Sequence, residues 1–168
     1  MSLCADAFVG QAHALKCELA CEVLRSFGNL RFKATGWSML PSVWPGDTLV
    51  IERVSPDQVC AGAVILVGRD GRLCAHRVIS VAEGCESPRW ITQGDANSAP
   101  DKPVSEGELL GRVNYLIRAG KLVPVPAALS VVDQLIAKIV RRSKTAARAL
   151  VYLHRAVETP KESLPCQG

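Results

Sequence analysis

A chain of 168 residues, 48% of them apolar, supplies one sizeable hydrophobic core and too little for two. Its net charge of +4 is uneven: Lys138, Arg141, Arg142, Lys144 and Arg148 crowd into residues 138–148 with no acid among them, so basicity is a local feature. No stretch of about 18 apolar residues occurs, and no membrane-spanning helix is expected.

Residues 5–27 place Ala7, Phe8, Ala14, Leu15, Leu19, Val23, Leu24 and Phe27 at helical spacings. This pattern predicts an amphipathic helix ended by Gly28-Asn29, within an N-terminal segment 1–29. From Leu30 the pattern changes to short β-branched runs at Thr48–Val54, Ala63–Val67, Leu73–Val81, Trp90–Gln93 and Gly111–Ile117, separated by turn pairs such as Pro45-Gly46 and Asp70-Gly71. Residues 30–123 therefore read as an antiparallel β domain. After Pro124-Val125-Pro126 a basic amphipathic segment, 124–158, carries Leu129, Val132, Leu135, Ile136, Ile139 and Val140 on one side, and Ala146–Val157 continues it. Two prolines and few large apolar groups make 159–168 a loose tail. The fold class expected is mainly β, of the α+β kind.

The seven cysteines, Cys4, Cys17, Cys21, Cys60, Cys74, Cys85 and Cys166, show no repeated C-x-x-C spacing, and no secretory leader opens the sequence. Free thiols in a reducing cytoplasm are expected. Cys17 with Cys21, or Cys74-x-His76, falls short of the recurring ligand sets of zinc sites, so no metal is expected.

The residues suited to chemistry lie in the β region. Ser38 stands in Gly36-Trp37-Ser38-Met39-Leu40-Pro41, where glycine permits an unusual backbone and proline stiffens the exit. A serine hydroxyl attacks at neutral pH only with a base within hydrogen-bond reach and donors for the oxyanion that forms. Read alone, the segment is simply a turn. His76 sits on a strand whose alternation puts Cys74, His76 and Val78 on one face and Ala75, Arg77 and Ile79 on the other. Its ordinary pKa of about 6.5 suits it to take a serine proton and return it to a leaving amine. His13 and His154, on the flanking helices, read as surface residues. Thr92 to Asp101 ends a strand and opens a turn containing Asp95 and Asp101. Either carboxylate serves to build the turn or to fix an imidazole tautomer. Trp37 and Met39 flank the serine and are candidates to line a substrate groove, although tryptophans beside short strands (Trp37, Trp44, Trp90) are more simply core or rim packing. Arg77 reads as an edge-strand arginine, either solvated or paired with an acid near the site.

With these residues in place the sequence resembles the S24/S26 group of serine peptidases, which holds type I signal peptidases and LexA-like self-cleaving repressors. The similarity runs from about Leu30 to Val113 and includes Gly36 to Pro41, Pro45-Gly46-Asp47, Gly62-Ala63-Val64-Ile65, His76-Arg77-Val78, Gly94 to Asp101 and Leu110-Gly111-Arg112-Val113. Most bacterial members use a Ser/Lys dyad, whereas archaeal, sporulating-bacterial and endoplasmic-reticulum signal peptidases place histidine where the lysine stands; this sequence resembles the histidine type. The resemblance implies Ser38 as nucleophile, His76 as general base and Asp101 or Asp95 as orienting acid, with Asp101 favoured as the triad partner and Asp95 as its support. It also implies an oxyanion site of backbone amides near Gly36, with the Ser38 N–H first, and no cofactor.

Three features depart from the family. An amphipathic helix replaces the membrane anchor that normally precedes the serine, which points away from secretory preproteins. Gly36 stands where many signal peptidases carry a serine whose hydroxyl helps the oxyanion hole. The basic segment after Pro126 has no counterpart in the pattern; it reads as a packed helix with solvated charges, or as a peripheral contact with an anionic membrane surface through 127–157. No helix-turn-helix pattern is present, and nucleic acid is not expected as a partner.

The expected function is that of a serine endopeptidase cutting an extended peptide or protein precursor, paired along a strand edge, through an acyl-enzyme. Its expected place is the cytoplasm or the inner face of the membrane. Two other readings stand beside it: a self-processing LexA-like regulator, for which Ala61-Gly62 and Ala119-Gly120 are candidate bonds, and a non-catalytic binding module that keeps the fold.

Overall fold

The computed structural model describes residues 3–82 and 87–158, with side chains for 14–82, 87–143 and 145–154. Seven strands form an antiparallel sheet: β1 (Asn29–Lys33), β2 (Thr48–Glu52), β3 (Val64–Arg69), β4 (Arg72–Ala82), β5 (Arg89–Gln93), β6 (Leu109–Arg118) and β7 (Lys121–Pro124). Their order is β1-β2-β6-β3-β4-β5, with β7 paired to the second half of β6. Three helices flank them, α1 (Leu3–Phe27), α2 (Val131–Arg142) and α3 (Lys144–Glu158), so the fold is α+β and mostly antiparallel sheet.

Strands β2 to β6 coincide with the five β-branched runs to within a few residues. Strands β1 and β7 were not singled out by those runs: in β1 the exposed Asn29, Arg31 and Lys33 leave only Leu30 and Phe32 to show the alternation, and β7 is four residues long and ends in a proline. Asp70 and Gly71, with φ of 50° and 68°, form the tight turn from β3 to β4.

The central strand β3 buries Val64, Ile65, Leu66 and Val67 on both faces. Val64 and Leu66 join Leu24, Met39, Val43, Ile51 and Leu116 in one core, while Ile65 and Val67 join Val59, Val78, Trp90 and Val104 in another. Helix α1 covers the first core through Ala20 and Leu24, with Cys17 and Cys21 partly buried, so its packed face is narrower than the periodicity suggested. Leu15, Leu19 and Phe27, counted on that face from sequence, are exposed. Gly28 then closes the helix in a left-handed conformation, its N–H donating to Leu24 O at 3.0 Å.

The C-terminal segment is two helices rather than one, broken at Ser143, whose backbone is extended and whose hydroxyl accepts from Ala146 N. Val140, Ala147 and Val151 close on Leu40, with Trp44 and Ala96 at the margin, forming a third apolar cluster against the loop between β1 and β2. His154, read from sequence as a surface residue, is partly buried and stacks on Trp44 with ring centroids 3.7 Å apart. Trp90 is fully buried, whereas Trp37 stands at the surface. Among the described residues no helix is long and apolar enough to cross a membrane. The side chains of Cys4 and His13, all of Cys85, and the expected tail 159–168 with Cys166 lie outside the described ones.

Candidate active site

The loop from Ala34 to Asp47 carries Ser38 and is clasped at its ends, Ala34 N donating to Asp47 O and Gly46 N to Ala34 O, both at 2.8 Å. The buried Asp47 carboxylate accepts from Trp44 N at 2.7 Å and from the Arg118 guanidinium at 3.0 and 2.7 Å, tying the loop to β6. Beyond the serine, Met39 and Leu40 are driven into two different apolar clusters. Met39, 5% exposed, is therefore a core residue; a side chain packed beside Leu24 and Val43 lines no groove. Trp37, 37% exposed, keeps a surface position before the serine. These anchors leave Ser38 half-buried at the head of a fixed turn.

Ser38 Oγ lies 2.9 Å from His76 Nε2, and His76 Nδ1 lies 2.6 Å from Asp101 Oδ2. Because Nδ1 faces a carboxylate it carries the proton, which leaves the Nε2 lone pair toward the serine; this tautomer follows from the partners. Thr92, buried on β5, donates its hydroxyl to the same Asp101 oxygen at 2.8 Å. Asp101 is also held by its backbone, Asp101 N donating to Thr92 O at 2.8 Å. Three elements thus meet at one histidine: the serine loop, β4, and the turn after β5.

Asp95 points elsewhere. Its carboxylate takes a forked pair from Arg77, Nε to Oδ1 at 2.8 Å and Nη2 to Oδ2 at 2.9 Å. The remaining Arg77 donors reach Gly62 O, Pro126 O and Ser42 Oγ, so all five N–H groups of the buried guanidinium are used. The reading of Arg77 as an edge-strand residue fails because β4 lies between β3 and β5. Asp95 supports the site at one remove, through the strand that carries His76.

Gly94 fixes the approach between the turn and the serine. A Cβ there would fall 2.6 Å from Ser38 O, 2.9 Å from Ser38 Cβ and 2.9 Å from Asn97 Nδ2, and Ala96 N donates to Ser38 O at 2.8 Å. Gly36 has no such constraint: a Cβ meets nothing within 4 Å and its φ is not left-handed, so the unusual backbone that glycine would permit there is not used. It stands exposed two residues before the serine, beside the amides expected to serve an oxyanion.

A cavity of about 200 Å³ opens beside His76, walled by Val67, Cys74, Thr92, Asp101 and Val104. Cys74 Sγ lies 3.2 Å from His76 Nε2, sharing that nitrogen with Ser38. Cys74 is exposed as a residue, yet loss of hydration around its sulfur, reinforced by Asp101, pushes the thiol up to about 11. Its thiolate is therefore scarce near neutrality. Cys17, Cys21 and Cys60 are likewise free thiols, and among the described residues no cluster of His, Cys, Asp or Glu could hold a metal.

Thr92, Arg118 and Gly94 were not read from the sequence as site residues. The first two are ordinary strand residues there, and only Gly94, at the head of the aspartate turn, gave a local signal. Comparison with protein-family models, with curated proteins and with solved structures gives no match to this chain.

Proposed function

We propose that the chain is a serine endopeptidase of the S24/S26 type, with the signal-peptidase and LexA-like β fold, acting on an extended peptide or precursor segment. The observation that carries this reading is the unbroken line Ser38 Oγ, His76, Asp101 at 2.9 and 2.6 Å. Ser38 attacks the scissile carbonyl while its proton passes to His76 Nε2. Asp101 stabilises the imidazolium so formed and holds its tautomer, and Thr92 holds Asp101. The proton then goes to the leaving amine; water, deprotonated by His76, releases the acyl group. The oxyanion is met by the Ser38 N–H and amides near Gly36. The cavity beside His76 suits a small side chain next to the scissile bond.

Cleavage of another chain is preferred to self-processing. Gly62 N donates to Val78 O at 2.8 Å, and Ala119-Gly120 forms the left-handed turn between β6 and β7, so neither Ala-Gly bond lies in an extended strand. The test is incubation of wild type and Ser38→Ala with a peptide library, read by mass spectrometry. Cleavage by wild type and none by the variant is expected. Equal background from both would leave a binding module that keeps the fold.

A further inference from the structure

We infer that the outward face of α2 and α3 is a docking surface for an anionic phospholipid membrane. Helix α2 carries more apolar surface than the core consumes. Ile136 and Val140 join the third apolar cluster and Ala137 is buried, yet Val131, Val132, Leu135 and Ile139 remain 75%, 65%, 55% and 60% exposed. At about 100° per residue these four fall within a single sector of roughly 100°, so they form one stripe.

Charge frames that stripe. Lys138 and Arg142 project within or beside the same sector and are exposed, and α3 adds exposed Tyr152 and Leu153 near Arg148. Among the described residues no ion pair involves Lys138, Arg142 or Arg148. The one acid of α2, Asp133, is turned to the N-cap, where its carboxylate accepts from Ser130 Oγ at 2.7 Å. An apolar stripe bordered by cations complements an anionic leaflet: the apolar groups enter the boundary between headgroups and acyl chains while the long basic stems reach the phosphates. The apolar centre argues against nucleic acid, whose backbone is met by polar and basic groups. A second copy would bring two cationic faces together.

The opposite side of the same helices presses on Leu40, two residues past Ser38, and Arg141 Nη2 donates to Asp95 O at 3.1 Å. Docking would therefore hold the Ser38 loop at a fixed orientation to the bilayer. The inference stands whether or not the site cleaves peptides.

The test is sedimentation of the full chain with vesicles of phosphatidylcholine alone and of phosphatidylcholine mixed equally with phosphatidylglycerol. Binding to the mixed vesicles, weakened by salt, is expected. The double variant Lys138→Ala/Arg142→Ala should bind about 30-fold more weakly, at about five-fold per charge. Leu135→Ser/Ile139→Ser should lose binding with an unchanged circular dichroism spectrum, since both side chains already face solvent. No sedimentation with either vesicle, or equal sedimentation of wild type and both variants, overturns the inference. So does a chain that ignores vesicles and instead binds duplex DNA or forms a dimer broken by Ile139→Ser.

Discussion

The guanidinium of Arg77 grips both carboxylate oxygens of Asp95, at 2.8 and 2.9 Å, one residue along β4 from His76 and on the opposite face of the strand. The two aspartates of the turn after β5 therefore do different work. Removing one partner of a buried pair leaves an uncompensated charge, so Asp95→Asn and Arg77→Ala should each cost about 3–5 kcal/mol in urea unfolding. Arg77→Lys keeps the charge but not the fork, and should rescue only part of the loss. Asp101 is 29% exposed in its side chain, and Asp101→Asn should unfold near the wild-type midpoint while slowing cleavage by up to about ten-thousand-fold. Identical effects of the two Asp→Asn changes on stability and rate would contradict this division.

Gly94 packs against Ser38 whereas Gly36, two residues before it, faces open space, so an added methyl group should affect the two differently. At Gly94 the new Cβ would meet backbone at Ser38 O, which has to move, and a displacement of about 1 Å at a reacting group can cost about a hundred-fold in rate. Gly94→Ala should thus lose much of kcat. At Gly36 the space is open, and Gly36→Ala should cleave at close to the wild-type rate. Both rates are checked on one peptide substrate; a harmless Gly94→Ala would show that the serine loop is not held from that side.

Much of this site was legible in the sequence, because its chemistry follows residue type and order. Ser38, His76 and the two carboxylates were readable as a set, and strand alternation correctly put Cys74 beside His76. What the sequence could not show depends on spatial order. Asp95 and Asp101 share one turn, and only the packing of β4 between β3 and β5 decides which reaches the histidine and which meets Arg77. Met39 adjoins Ser38 in the chain yet its side chain is buried in the core, since consecutive side chains in this turn separate into solvent, site and core. The apolar side of α2 was visible as a periodicity, but how much of it the fold would cover was not.

Cys74 offers a chemical check on the geometry around His76. With its thiol raised from 9.0 to about 11, the reactive thiolate at neutral pH is about a hundred-fold scarcer than at an unshifted cysteine. Maleimide labelling of Cys74 should therefore be slow near neutrality and accelerate as pH rises toward 11, by peptide mapping. An adduct would fill the cavity beside the base, so labelled protein should lose peptidase activity while labelled Cys74→Ala keeps it. Fast labelling at neutral pH would contradict the dehydrated setting of the sulfur.

Arg69 and Glu108, which close the loop following Asp101, contribute one pH-dependent part of the stability. Arg69 donates to both Glu108 oxygens and to Lys102 O and Pro103 O at 3.2 and 2.6 Å, while Ser105 N and Oγ donate to Glu108 Oε2 at 2.8 Å. The Arg69 hydrogen bond, with those of Ser105 outweighing the cost of dehydration, holds the Glu108 carboxyl down at about 2 instead of 4.5. A carboxyl lowered on folding stabilises the native state above its unfolded value, and that contribution disappears as pH falls through the folded one. The pair is partly solvated, so its worth is about 1 kcal/mol. Glu108→Gln should be less stable than wild type by that amount at neutral pH, and the gap should narrow between pH 4.5 and about 2. Urea midpoints of the two proteins across that range are the measurement, and a gap that does not change with pH would mean that the Glu108 charge contributes nothing to holding the loop.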